Sequence, residues 1–258
     1  MVRATNSMTL IRSSILLRAI SGQRVLLYGP RGSGKSTLLE QLRVELVRQA
    51  VPCGYAPSTA HLDDITRALT TAYPAVKAAA VRRRTARARL RLAADRRGGV
   101  LLLDHVSEVS NAMVGFMRRM VGGMTGIVLA FDVESDTERA AAIRPGRLGG
   151  LPIRMPETSA RQLKVLWRRL CRQQHWVDLS PALETRLLRE AAGRPGWLVQ
   201  CAALAADSRY RRDGKLELIN LLCSDTSMAL HHGVQALQLL NEAVPFPTNS
   251  DSLPMGTG

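Results

Sequence analysis

The sequence predicts an α/β fold, a parallel sheet sandwiched by helices, followed by a small all-helical lid. Three observations carry this. Short apolar runs alternate with helical stretches as far as Pro156, and a glycine-rich loop, Gly29–Thr37, stands between one such run and a helix. Beyond Pro156 the chain reads as helices alone. Alternation of strand and helix is the pattern of a parallel sheet, and a switch to helices marks a second subdomain.

The elements follow in order. Residues 1–8 read as a flexible start. Thr9–Ser21 carries Leu10, Ile15, Leu16, Leu17 and Ile20 at helical spacing, and Gly22 ends it. Arg24–Tyr28 is a short β-rich run leading into the glycine loop. Ser36–Gln49 places Leu38, Leu39, Leu42, Leu46 and Val47 on one helical stripe. Pro52 and Gly54 frame a second strand, Val51–Ala56, and His61–Ala72 is a helix closed by Pro74. Lys77–Arg97, rich in Ala and Arg, is helical by propensity and is stopped by Gly98 and Gly99. Val100–Asp104 is a buried strand, Asn111–Val121 a helix and Ile127–Asp132 another buried strand. An acidic helix over about Glu134–Ile143 and a last strand, Leu151–Arg154, complete this part. Thr158–Gln173, Pro181–Ala192, Trp197–Arg209 and Ser227–Val244 are helical. The expected organisation is therefore an α/β nucleotide-binding subdomain over 9–156, a helical lid over 157–244 and a disordered tail over 245–258, rich in Pro, Ser, Thr and Gly.

Composition bounds the function. A 46% hydrophobic, 22% charged chain is ordinary for a soluble globular protein, and no apolar run approaches the roughly 18 residues that span a bilayer. Polar residues interrupt any signal-peptide core after Arg3, Arg12 and Arg18, so the expectation is a cytoplasmic protein without membrane contact. Cys53, Cys171, Cys201 and Cys223 show no metal-ligand spacing and read as buried free thiols, and His231 and His232 lack a nearby ligand set. The net charge of +15 favours a polyanionic partner, nucleic acid before an acidic membrane surface. The excess of Arg over Lys is also what a GC-rich genome produces.

The strongest chemical signal is Gly29-Pro30-Arg31-Gly32-Ser33-Gly34-Lys35-Ser36-Thr37, a GxxxxGK[ST] loop after a strand and opening a helix. Glycines let successive N–H groups curl around phosphate oxygens, and the helix start adds its positive dipole end. Lys35 is placed to reach the β- and γ-phosphates of ATP or GTP, and Ser36 to ligate Mg²⁺. Asp104, ending an apolar strand about seventy residues after Lys35, is the second metal-holding carboxylate. Asp132 ends the next buried strand, where a polar residue can sense the γ-phosphate. Glu108, Asp132 and Glu134 are candidate carboxylates for the general base. Arg139, Arg144 and Arg147 precede the last strand, and Arg144 or Arg147 is a candidate finger for a neighbouring subunit's site. A solvated arginine is the plain alternative in so arginine-rich a chain. Gly193-Arg194-Pro195-Gly196 is either a tight turn or the means of placing Arg194 over the nucleotide.

This order of pieces resembles the AAA+ ATPases over roughly residues 9–223, and within them the bacterial transposition-regulator and origin-recognition types. The resemblance implies adenine nucleotide, phosphate and Mg²⁺ held by Lys35, Ser36 and Thr37, metal at Asp104, and sensor positions at Asp132 and Arg194. His105 stands where a catalytic Glu is usual, which points to a slow or switch-like ATPase, and Asp132 stands where Asn, Ser or Thr is usual. No winged-helix domain follows the lid, which counts against a replication initiator.

Two functions from different classes follow. The first is an ATP-dependent regulator that oligomerises on duplex DNA and recruits a protein partner, with arginines such as Arg89 or Arg91 on the phosphate backbone. The second is a switch ATPase acting on protein partners alone, in signalling or secretion. A small-molecule kinase is disfavoured because no acceptor site is legible.

Overall fold

The computed structural model describes residues 3–59, 61–73, 98–106, 111–120, 125–133, 149–173, 181–206, 211–212 and 215–216. Three apolar runs form strands for the reason given by their composition. Val25–Leu27, Val100–Leu103 and Ile127–Phe131 are apolar without interruption and buried, as strands covered on both faces must be. The strands are β1 (Arg24–Gly29), β2 (Cys53–Ala56), β3 (Gly99–Val106), β4 (Thr125–Asp132) and β5 (Leu151–Arg154). They form one all-parallel sheet in the order β2-β3-β4-β1-β5.

Side chains alternate across the sheet and divide the interior in two. Leu26, Leu101, Leu103, Ile127, Leu129 and Phe131 face one layer, with Ile65, Leu69, Met113 and Met117 from α3 (Leu62–Ala72) and α4 (Asn111–Met120). Val25, Leu27, Val100, Leu102, Val128 and Ala130 face the other, with Ile15, Ala19, Leu38, Leu39, Leu42 and Leu46 from α1 (Arg3–Ile20) and α2 (Lys35–Arg48). The sheet is thus sandwiched by helices, as the fold class requires. The helices α5 (Ala160–Gln173), α6 (Pro181–Ala191) and α7 (Pro195–Ala206) follow β5.

The chain divides into two compact units, Met1–Gln200 and Cys201–Gly258. In the second, β6 (Arg211–Arg212) and β7 (Lys215–Leu216) form a short antiparallel pair. This departs from the helices expected throughout the region after Pro156. Asp-Gly, which stands between β6 and β7 in sequence, is a dipeptide that favours hairpins, a signal the helical reading passed over. The first helix also differs. It begins at Arg3, not Thr9, since no Gly or Pro between them interrupts it. The expected helices over 77–97, 134–143 and 227–244, and the tail over 245–258, lie outside the described residues. No described helix is long and apolar enough to cross a membrane.

Candidate nucleotide-binding site

β1 ends at Gly29 and α2 begins at Lys35, with the loop between them at the carboxyl edge of the sheet. Gly32 and Gly34 have φ of +81° and +96°, left-handed conformations that favour glycine. Gly34 is the N-cap of α2 and supplies no side-chain hydrogen bond. The first N–H groups of α2 are therefore left for an anion, at the positive end of the helix dipole.

Lys35 is 5% exposed and folds back into its own loop. Its Nζ donates to Gly29 O at 2.7 Å, to Pro30 O at 2.9 Å and to Ser33 Oγ at 3.3 Å. A buried ammonium needs a counter-charge, and Asp132 Oδ1 provides it at 2.8 Å. This pairing follows from strand order: β4 lies beside β1, with Gly29 in register with Asp132.

Asp104 is held on the other side of β4. It is 1% exposed, its Oδ2 accepting the Tyr55 hydroxyl at 3.1 Å and its Oδ1 accepting the His105 N–H at 2.9 Å. Next to it, β3 loses regular register between Leu103 and Val106, and His105 adopts φ +47°. The imidazole is consequently turned outward and its Nδ1 lies 3.3 Å from Asp132 Oδ2. Asp132 thus joins His105 to Lys35. The His105 hydrogen bond first, and then Lys35, hold the Asp132 carboxyl well below the usual carboxylate range. The same hydrogen bond raises the His105 imidazole above its ordinary value. Burial, reinforced by the Asp104 charge, pushes the Tyr55 phenol up to about 12, so it remains a donor.

The turn between α6 and α7 closes on the loop from a third direction. Gly196 N–H donates to Gly32 O at 2.8 Å. A Cβ on Gly196 would stand 2.9 Å from both Gly32 Cα and Gly32 O, so the two backbones touch with no room for a side chain. The Arg194 guanidinium is turned toward α6. Its Nε and Nη2 donate to Ala191 O at 3.3 Å and Glu190 O at 3.2 Å, capping the carbonyl end of α6.

The structure therefore brings Gly29–Lys35, Asp104 and Asp132 to the ends of adjacent strands, with Ser36 part-buried and Thr37 exposed in the first turn of α2. Glu108, Glu134, Arg139, Arg144 and Arg147 lie outside the described residues. Tyr55 was missed by sequence reasoning. Its only signal is membership of a strand beside β3, and that pairing is visible in three dimensions alone.

Residues 21–135 match the family model described as an AAA domain. Similar solved structures extend beyond it. Domain III of the Thermotoga maritima replication initiation protein DnaA is 16% identical with a TM-score of 0.50, over 84% of this chain and 91% of that one. Cdc6p from Pyrobaculum aerophilum is 17% identical with a TM-score of 0.50, over 79% of this chain and 61% of that one, so this chain spans about three fifths of Cdc6p. At such identities the likeness is one of fold, an AAA+ P-loop sheet with its flanking helices. No curated protein matches the chain in sequence. The matched residues take in the glycine loop, Asp104, His105 and Asp132, whereas Arg194 and Gly196 fall beyond them.

Proposed function

We propose that this chain binds ATP with Mg²⁺ at Gly29–Thr37 and acts as an ATP-dependent, oligomerising, DNA-associated regulator with slow hydrolysis. The observation that carries the nucleotide reading is Lys35, an ammonium buried inside a glycine loop at an uncapped helix start. Hydroxyl and carboxylate oxygens at Ser36 and Asp104 suit a hard cation that takes its other ligands from phosphate and water. Mg²⁺ bound there would neutralise phosphate charge. The chain's own residues do the rest. Lys35 leaves Asp132 for the phosphates, Tyr55 and the His105 N–H orient Asp104, and Gly196 braces the loop at Gly32. Residues 9–156 serve as the nucleotide-binding subdomain and 157–244 as the lid.

The DNA reading is supported by the net charge of +15 and by the nature of the similar structures, one of which belongs to a replication initiation protein. Slow turnover is supported by His105, whose ring is engaged with Asp132 where a water-polarising Glu is usual. That same feature favours a second reading, a switch acting on protein partners without DNA. Light scattering on a sizing column separates them, with duplex DNA and either no nucleotide, ADP or a non-hydrolysable ATP analogue. The DNA regulator grows into a large species only with DNA and the analogue, and Lys35→Ala abolishes that growth. A species indifferent to DNA in every state would transfer the case to the protein-partner switch.

A further inference from the structure

The exposed side of α5 is almost wholly cationic. At about 100° per residue, Arg161, Lys164, Arg168 and Arg172 fall on one stripe, with Arg169 at its margin. Leu163 and Trp167 occupy the opposite side and are buried. With a rise of about 1.5 Å per residue the stripe runs roughly 16 Å. Successive charges on the stripe stand three or four residues apart, about 4.5–6 Å of axis, against ~3.4 Å per phosphate along one strand of a duplex.

Among the described residues, Glu184 is the one acidic partner of this face. Glu184 accepts Lys164 at 3.4 Å and Arg168 at 3.1 Å. Arg161, Arg169 and Arg172 have no ion-pair or hydrogen-bond partner among the described residues, and all three are exposed. Like charges four apart repel weakly along a helix; Glu184 offsets Lys164 and Arg168, and Arg172 is left for an external anion among the described residues. A lipid surface fits poorly, because the apolar side of α5 is already committed to the interior and cannot insert.

We propose that the α5 stripe is the surface on which a nucleic-acid phosphate backbone lies. The inference rests on the DNA-associated reading above and names its contact surface, which contains none of the nucleotide-site residues. Phosphate contacts of this kind position a duplex without reading its sequence.

The test measures fluorescence anisotropy of a labelled 30-base-pair duplex with the full chain and a non-hydrolysable ATP analogue, across 50–200 mM KCl. The triple variant Arg161→Gln, Arg169→Gln, Arg172→Gln should lower the slope of log affinity against log salt by about 2 to 3, and affinity at 0.1 M salt by about two orders of magnitude. Val165→Arg adds a cation at an exposed position of the same stripe, and should tighten binding and steepen the slope by about 0.9. A control losing the same charge elsewhere, Arg12→Gln, Arg48→Gln, Arg67→Gln, should stay near the parent. Equal loss in the control, or unchanged affinity and slope in the triple variant while the parent binds DNA, would overturn the stripe alone. A parent that binds no DNA in any nucleotide state, or binds only phosphatidylserine vesicles, would overturn both the stripe and the DNA reading.

Discussion

Replacing Asp132 by Asn removes the counter-charge of a lysine that is almost wholly buried, and its effect should differ in sign between the empty and loaded protein. In the structure Lys35 Nζ is 2.8 Å from Asp132 Oδ1, with the lysine 5% and the aspartate 35% exposed. Breaking a fully buried pair costs about 3–5 kcal/mol, while exposed pairs are worth about 0–1 kcal/mol. Partial exposure places this one between those limits, and Asn retains some hydrogen bonding, so a loss of about 1.5 kcal/mol is expected. For a domain of this size that lowers Tm by about 3–6 °C. The same restraint opposes nucleotide, because Lys35 must leave Asp132 to reach phosphate. Asp132→Asn should therefore bind a non-hydrolysable ATP analogue up to about tenfold more tightly. Thermal melting without nucleotide and calorimetric titration with the analogue measure the two halves. An unchanged melting temperature together with weaker analogue binding would refute the argument, and would assign Asp132 to the bound nucleotide instead of the free lysine.

Other predictions concern the residues that only the fold connects. Tyr55→Phe leaves Asp104 Oδ2 without its donor and should weaken the dependence of analogue binding on Mg²⁺ by about tenfold, for a charge-assisted bond of about 1.5 kcal/mol; an unaltered Mg²⁺ titration would count against that role. Gly196→Ala forces a Cβ onto the Gly32 backbone, so analogue affinity should fall with a loss of about 1–3 kcal/mol in stability measured by denaturant. Equal stability and affinity would mean the contact yields freely. Burial pushes the Cys53 thiol up to about 11. Because the neutral folded form is favoured, its contribution to stability is complete below the ordinary value of 9.0 and is lost as pH rises from there through about 11. Its thiolate fraction at pH 8 is lower by roughly a hundredfold, partly offset by greater nucleophilicity, so alkylation should run about tenfold slower than for a free thiol. Mass spectrometry of iodoacetamide-treated protein checks this, and a free-thiol rate at Cys53 would contradict its burial.

The glycine loop was legible in the sequence because its requirements are local. Residues permissive of positive φ, a lysine and a hydroxyl must follow one another within a single turn between strand and helix, and Gly29–Thr37 contains all of them in order. Asp104 and Asp132 were legible for a related reason, since an uninterrupted apolar run ending in a carboxylate marks the edge of a buried parallel strand. Pairing was not legible. Asp132 meets Lys35 because β4 lies between β3 and β1, an order the apolar pattern leaves unspecified. Tyr55 reaches Asp104 across two strands separated in sequence by a helix and more. His105 drew notice as a substitution for Glu, but its left-handed backbone and its ring on Asp132 came from the broken register of β3. Arg194 shows the limit most clearly. Its turn touches the loop through Gly196, yet its guanidinium donates to the Glu190 and Ala191 carbonyls at the end of α6. Local backbone chemistry is written in consecutive residues, whereas the partner of a charge is settled by which strands and turns the packed sheet brings within 3 or 4 Å of it.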